Sequence, residues 1–179
     1  MSSPVRSVVT LGKALRRFRR NRRGSAAVEF ALVAPAFFAL LFAIIETALV
    51  FFAGQVLETG LQDTGRVIYT SNTPSQADFK QALCDRVAVL FTCSNLYVDV
   101  RSYSAGTAIT ITDPIDGSGN FTNNFVYQPP TNLDQTVVVR AFYQWPLVVT
   151  GLGYNIANIG RGTSNSKRLL ASTNAFRPQ

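Results

Sequence analysis

The chain has 179 residues, 47% of them apolar and 15% charged, with no His, one Met, one Trp and two Cys. That is room for one modest domain and one long extra element, and the missing His argues against a zinc enzyme or a hydrolase with the usual general base. The net charge of +7 invites a nucleic-acid reading, but its distribution does not support one. Eight positive charges (Arg6, Lys13, Arg16, Arg17, Arg19, Arg20, Arg22 and Arg23) fall within residues 1–24, which hold no acidic side chain. Residues 25–179 then carry nine basic and ten acidic groups, a net of −1, so the body of the protein is not basic.

After the basic arm, residues 25–54 read SAAVEFALVAPAFFALLFAIIETALVFFAG, with Glu29 and Glu46 as the only charged groups. Phe30 to Ala53 is 24 residues, roughly 36 Å of helix at about 1.5 Å per residue, enough for a hydrocarbon core of about 30 Å. A cleaved secretory signal is the rival, since Ala34-Pro35-Ala36 is a small-residue site. Its apolar region would be only about 7–15 residues long, and here the run continues well past that. The segment reads as a membrane anchor. By the positive-inside rule residues 1–24 are cytoplasmic and residues 55–179 lie outside, which makes the arm a topology determinant rather than a nucleic-acid arm.

Two carboxylates in such a helix need an account, because an ionised acidic group at a bilayer centre costs about 2.5–3.5 kcal/mol. Glu29 lies near the cytoplasmic boundary. Glu46 is about 25 Å further along the axis and is expected to reach the outer interface or a neighbouring helix. Pro35 removes one backbone donor inside the helix and is expected to kink it locally.

The basic leader, then Gly24, then Glu29-Phe30 at the fifth and sixth positions after it, then an apolar helix with an early Pro, resembles the N-terminus of TadE-like proteins, pseudopilins of tight-adherence (Flp) pilus and type IVc secretion systems. The resemblance runs from residue 20 to about 70 and returns more weakly in VVVRAFYQWPLVVTGLGYN and the closing LLASTNAFRPQ, which lacks an acidic residue of the family's ending. It implies that a prepilin peptidase cuts Gly24-Ser25 on the cytoplasmic side, with Glu29 and Phe30 as recognised positions. It also implies a non-enzymatic minor pilin-like subunit in the bacterial inner membrane, partnered by other pilins and the assembly machinery, with its head in the periplasm. The chemistry agrees: glycine before the cut lets an extended backbone approach a protease closely, and cleavage would leave an ammonium on Ser25 near Glu29. The alternative is a bitopic binding module that keeps its arm and presents a groove near residues 146–162.

Residues 55–70 are expected to continue the helix, with Val56, Leu57, Leu61 and Ile68 as a partial apolar stripe. Thr73-Pro74 reads as N-cap and first residue of a second helix, with Gln76 completing a capping box and Phe79, Leu83, Val87 and Leu90 as its apolar face. The remainder reads as strands. Residues 95–104 alternate Leu96, Val98 and Val100 against Tyr97, Asp99 and Arg101; residues 107–112 place Ile109 and Ile111 on one face; 134–145 is the longest strand and 167–176 another. Residues 113–120 are turn chemistry, and the Ca²⁺ loop conceivable from Asp113, Asp116 and Asn120 lacks EF-hand spacing. The segment 146–162, broken by glycines, reads as a loop or short hairpin whose Leu147, Val148, Val149 and Leu152 form a contact patch or pack under the sheet.

Cys84 and Cys93 sit nine apart in a compartment where disulfides form. On one straight helix their Cα atoms would be about 13 Å apart, beyond the roughly 4.4–6.8 Å of a bridge, so a bridge requires the helix to stop around Leu90–Thr92 and the chain to fold back. With two thiolates and no His, neither a metal site nor an activated nucleophile is expected. The expected protein is α+β: a basic leader (1–24), a transmembrane helix (25–54) and a helix-plus-antiparallel-sheet domain (55–179), with no cofactor.

Overall fold

Forty-six consecutive residues, Ser25–Thr70, form helix α1, which runs through Pro35. The structure, a computed structural model, describes residues 24–70, 74–152, 154–163 and 165–177. The basic arm and Thr73 lie outside the described residues. The chain divides into two units, Met1–Phe42 and Ala43–Gln179.

In the first unit α1 is apolar all round from Phe30 onward, with Phe30, Leu32, Val33, Phe37 and Leu40 exposed on successive faces. A helix without a polar face has no orientation in which water wets it well, which is the signature of a membrane span. Within Ala26–Ile68 the helix is long and apolar enough to cross a bilayer.

In the second unit α1 gains a buried stripe. Val50, Ala53, Leu57, Leu61, Thr64 and Ile68 recur at steps of three and four and are all buried, so one face of the helix is core. Helix α2 spans Gln76–Val87 and buries Phe79, Leu83, Cys84 and Val87. Its N-cap is Ser75 rather than Thr73: the Ser75 hydroxyl accepts from the Asp78 N–H, and the Asp78 carboxylate accepts from the Ser75 N–H. The reciprocal box needs an acceptor three residues after the cap, and Asp78 supplies it for Ser75.

Three strands, β1 (Leu96–Tyr103), β2 (Thr136–Pro146) and β3 (Lys167–Phe176), form one antiparallel sheet in the order β1-β2-β3. Leu96 pairs with Tyr143 and Tyr103 with Thr136; Val137 pairs with Phe176 and Pro146 with Lys167. One sheet face, carrying Leu96, Val98, Val100, Val137, Val139 and Ala141, joins α1 and α2 in the main core. The α+β architecture is therefore as the alternation and helical periodicity imply.

The expected strand at 107–112 does not form. Ile109 and Ile111 are exposed, and the segment's carbonyls are used singly: Tyr103 Oη donates to Thr110 O at 2.8 Å and Arg140 Nη1 to Thr112 O at 2.8 Å. Side chains thus take the acceptors that a ladder would have used. The connection from β1 to β2 instead folds over the second sheet face. There Phe142, Ile159 and Leu169 form a smaller core with Tyr97, Phe121 and Phe125, and the Phe125 ring stacks on Phe142 at 4.7 Å. Tyr127 fastens the same connection to the start of α2, donating to Pro74 O at 2.7 Å. Burial, and the negative charge of Asp78, push its phenol up to about 12.

Cys84 and Cys93 are joined, with Cα atoms 5.5 Å apart. α2 ends at Val87, and the Phe91 N–H closes the turn on Val87 O at 3.1 Å. That turn returns the chain toward α2, as the spacing argument requires, and Phe91 then packs edge-on against Tyr143 at 4.8 Å. Because the closed loop is short, replacing either cysteine with Ser is expected to destabilise the head by about 2–3 kcal/mol. Without a reductant neither thiol should react with an alkylating agent; both should react after reduction. Mass spectrometry of the labelled chain checks this.

Candidate functional site

Gly24 precedes the first residue of α1, and nothing lies within 4 Å of the position a Cβ would occupy there. Steric room in the folded chain therefore does not require glycine at this position. Glu29 and Phe30 follow on the second turn, both exposed, Phe30 to 69%. A large aromatic on an uncovered helix face beside a carboxylate can be recognised from outside the chain, by an enzyme's groove or by a neighbouring helix. Among the described residues no group of three or more His, Cys, Asp or Glu is placed to hold a metal ion.

Glu46 is the feature that sequence reasoning placed differently. It does not reach outward: it is 8% exposed, and its carboxylate accepts hydrogen bonds from the Val148 N–H and, at 3.1 Å, from the Val149 N–H. Beside it the Thr47 hydroxyl donates to Ala43 O at 2.8 Å and lies 3.2 Å from Tyr154 Oη. Two backbone donors are what a buried carboxylate needs in place of water. They come from the loop after β2, where Val149–Leu152 makes a short 3-10 turn. The apolar segment 147–152 therefore behaves in neither of the two expected ways as a unit. Leu147 packs against the main core, Val149 is buried, and Val148 is 88% exposed.

The second polar site is internal to the sheet. Asp99 and Arg140 are cross-strand partners in register, with side chains 1% and 4% exposed. Arg140 donates from Nη2 at 2.7 Å and from Nε at 3.0 Å to Asp99 Oδ2. Arg101 Nε adds contacts at 3.1 and 3.2 Å, and the Val126 N–H donates to Oδ1 at 2.9 Å. Burial pushes the Asp99 carboxyl up, but the Val126 N–H, the Arg140 and Arg101 guanidinium groups and the Arg140 charge outweigh it and hold the group below the ordinary carboxylate value. Both Asp99 oxygens are thus occupied by donors from within the chain. It pins the β1–β2 connection to the sheet.

Asp116 shows the turn chemistry expected of residues 113–120. Its Oδ1 accepts from the N–H groups of Ser118 at 2.9 Å and Asn120 at 2.8 Å, and the Asn120 N–H above all holds its carboxyl below the usual range. An Asx-type turn of this kind uses the carboxylate to close the loop.

No curated protein and no solved structure gives a significant match to the chain. Over residues 24–66, the segment that carries Gly24, Glu29 and Phe30, the chain is similar to the family described as TadE-like protein.

Proposed function

We propose that the protein is a pilin-like subunit associated with a tight-adherence (Flp-type) pilus or a related secretion apparatus, anchored in the bacterial inner membrane with its head in the periplasm. The observation that carries the reading is the TadE-like match over a helix that is apolar on every face from Phe30 onward and leaves Glu29 and Phe30 exposed at its start. The subunit works without catalysis, by packing its stem against other stems and docking its head on neighbours. The disulfide agrees with an oxidising compartment for the head, and the arm's eight positive charges agree with a cytoplasmic N-terminus.

In this reading a prepilin peptidase removes residues 1–24. The new Ser25 ammonium lies one helical turn from Glu29, an i,i+4 pair close enough to interact within one chain or between chains. Glycine suits the cut because it presents no side chain to the protease while the scissile segment is extended.

Membrane-extracted protein from cells holding the peptidase should begin at Ser25, by mass spectrometry of the N-terminal peptide. Gly24→Val should leave the chain starting at or near Met1, because a β-branched residue restricts the backbone and crowds the protease. Glu29→Ala should still be cut but should co-purify less with the pilus machinery. A wild-type chain with an intact arm would sink the pilin reading and favour a bitopic module.

A further inference from the structure

We propose that the head rests in the lipid headgroup layer on its side of the membrane, with the loop that follows β2 as its lipid-contacting foot. The inference rests on the membrane-anchor part of the proposed function and not on the pilus context.

The argument stays within the second unit. Between Ala43 and Gly54, α1 has two characters. Glu46, Val50 and Ala53 are buried in the head, whereas Ile45, Leu49, Phe51 and Phe52 are exposed, Phe51 to 71%. A water-soluble surface does not normally leave such a set uncovered. The sequence around it is equally one-sided, for residues 30–57 contain a single ionisable side chain, Glu46. Its carboxylate is held by the Val148 and Val149 N–H groups. From Phe30 the helix therefore exposes no ionisable side chain until Glu58, well beyond the point at which the head begins to cover it.

The loop that supplies hydrogen-bond donors to Glu46 is itself suited to an interface. Val148, whose N–H is one of the two donors, leaves its side chain 88% exposed. Tyr154 is 43% exposed, with its hydroxyl 3.2 Å from Thr47 Oγ1. An aromatic ring with a polar tip is the side chain that bilayer interfaces favour. Arg168, also exposed, borders with Thr47, Phe51 and Tyr154 a shallow cleft of about 340 Å³, and a long cationic side chain can lie along apolar groups while its guanidinium stays among phosphates.

Lipid is favoured over a second copy of the chain because the uncovered surface is continuous in sequence with the apolar span. Its aliphatic and aromatic residues are bordered by Tyr and Arg in the order of a bilayer boundary. Glu46 thus acts as a positioning residue: by holding the loop on α1 it places Val148 and Tyr154 beside the emerging helix.

The test uses the full-length chain in phosphatidylcholine vesicles, with Val148→Cys carrying an environment-sensitive fluorophore. The native cysteines are bridged, so the new thiol is the one labelled. Leu133→Cys, at an exposed site before the opposite end of β2, is the control. The label at 148 should show blue-shifted emission and be quenched by lipids bearing a headgroup-region nitroxide, while the label at 133 reports water and is not quenched. An alkali-resistant, membrane-anchored chain whose 148 label is as water-exposed as the 133 label would overturn the lipid contact alone. A blue shift without lipid quenching that grows with protein density would also overturn it, in favour of a second copy. A chain extracted by alkaline carbonate would overturn the anchor and the foot together.

Discussion

Replacing Arg140 with Met should destabilise the head by about 3–5 kcal/mol, the cost of leaving a buried carboxylate without its principal cation. Against a total stability of roughly 5–15 kcal/mol for a domain, that is a drop in melting temperature on the order of 10 °C, measurable by near-ultraviolet circular dichroism of the detergent-solubilised chain. Arg101 and the Val126 N–H remain on Asp99, so the lower part of the range is expected. Removing both charges as Asp99→Leu with Arg140→Met should cost less than Arg140→Met alone, because the desolvation penalty disappears with the ions. The acid side carries its own signature. Asp99 is held below the ordinary carboxylate value, so its contribution is complete above about pH 3.9, where the unfolded side chain ionises, and is lost as the pH falls toward its folded value. Asp99→Asn should flatten the fall in stability below about pH 4. An Arg140→Met chain as stable as wild type would show that the pair contributes nothing to the fold.

That cluster also shows where sequence reasoning runs out. Alternation in residues 95–104 marks β1 correctly, and it assigns Leu96, Val98 and Val100 to the core face. The same alternation assigns Asp99 and Arg101 to the opposite face, which in a one-sided sheet is solvent. What buries Asp99 is the connection between β1 and β2, a stretch of turns held by isolated bridges, Tyr127 to Val100 and Ile115 to Phe121, that has no periodicity to announce it. Its aromatic residues, Phe121 and Phe125, were the available signal, since two phenylalanines in a polar loop need somewhere to go. The strands, the two helices and the bridge were legible because each follows from a local rule: period two, period 3.6, and the reach of a disulfide. Glu46 was not legible for the converse reason. Its partners are backbone N–H groups more than a hundred positions away, and a backbone donor leaves no residue-type signature. The likeness to the TadE-like family was legible from the basic leader and from the apolar helix that follows it, the helix being the stretch that the family match covers.

Two glycines on α1 should respond to the same substitution with opposite signs. A Cβ at Gly60 would lie 2.6 Å from Val87 Cγ1 and 3.5 Å from Leu83 Cδ1, whereas at Gly54 nothing lies within 4 Å. Gly60 is thus the point where α1 and α2 approach too closely for any side chain. Val87 cannot easily give way: it is fully buried, and a β-branched residue in a helix has essentially one rotamer. α2 would have to move, and the bridge from Cys84 to Cys93 ties its last turn to the start of β1. Overpacking of this kind costs about 1–3 kcal/mol for a small addition and more for a large one, while alanine gains roughly 1 kcal/mol over glycine from helix propensity. Gly54→Ala should therefore stabilise the head by up to about 1 kcal/mol. Gly60→Ala should destabilise it, by up to about 2 kcal/mol after that gain, and Gly60→Leu should cost more than Gly60→Ala. Pairing Gly60→Ala with Val87→Ala separates the cause: relief of the clash should make the double variant more stable than the sum of the two single losses, a coupling read from a double-mutant cycle. Strict additivity, or a Gly60→Ala protein more stable than wild type, would show that the two helices can slide apart at no cost and that the close crossing does not fix α2 on α1.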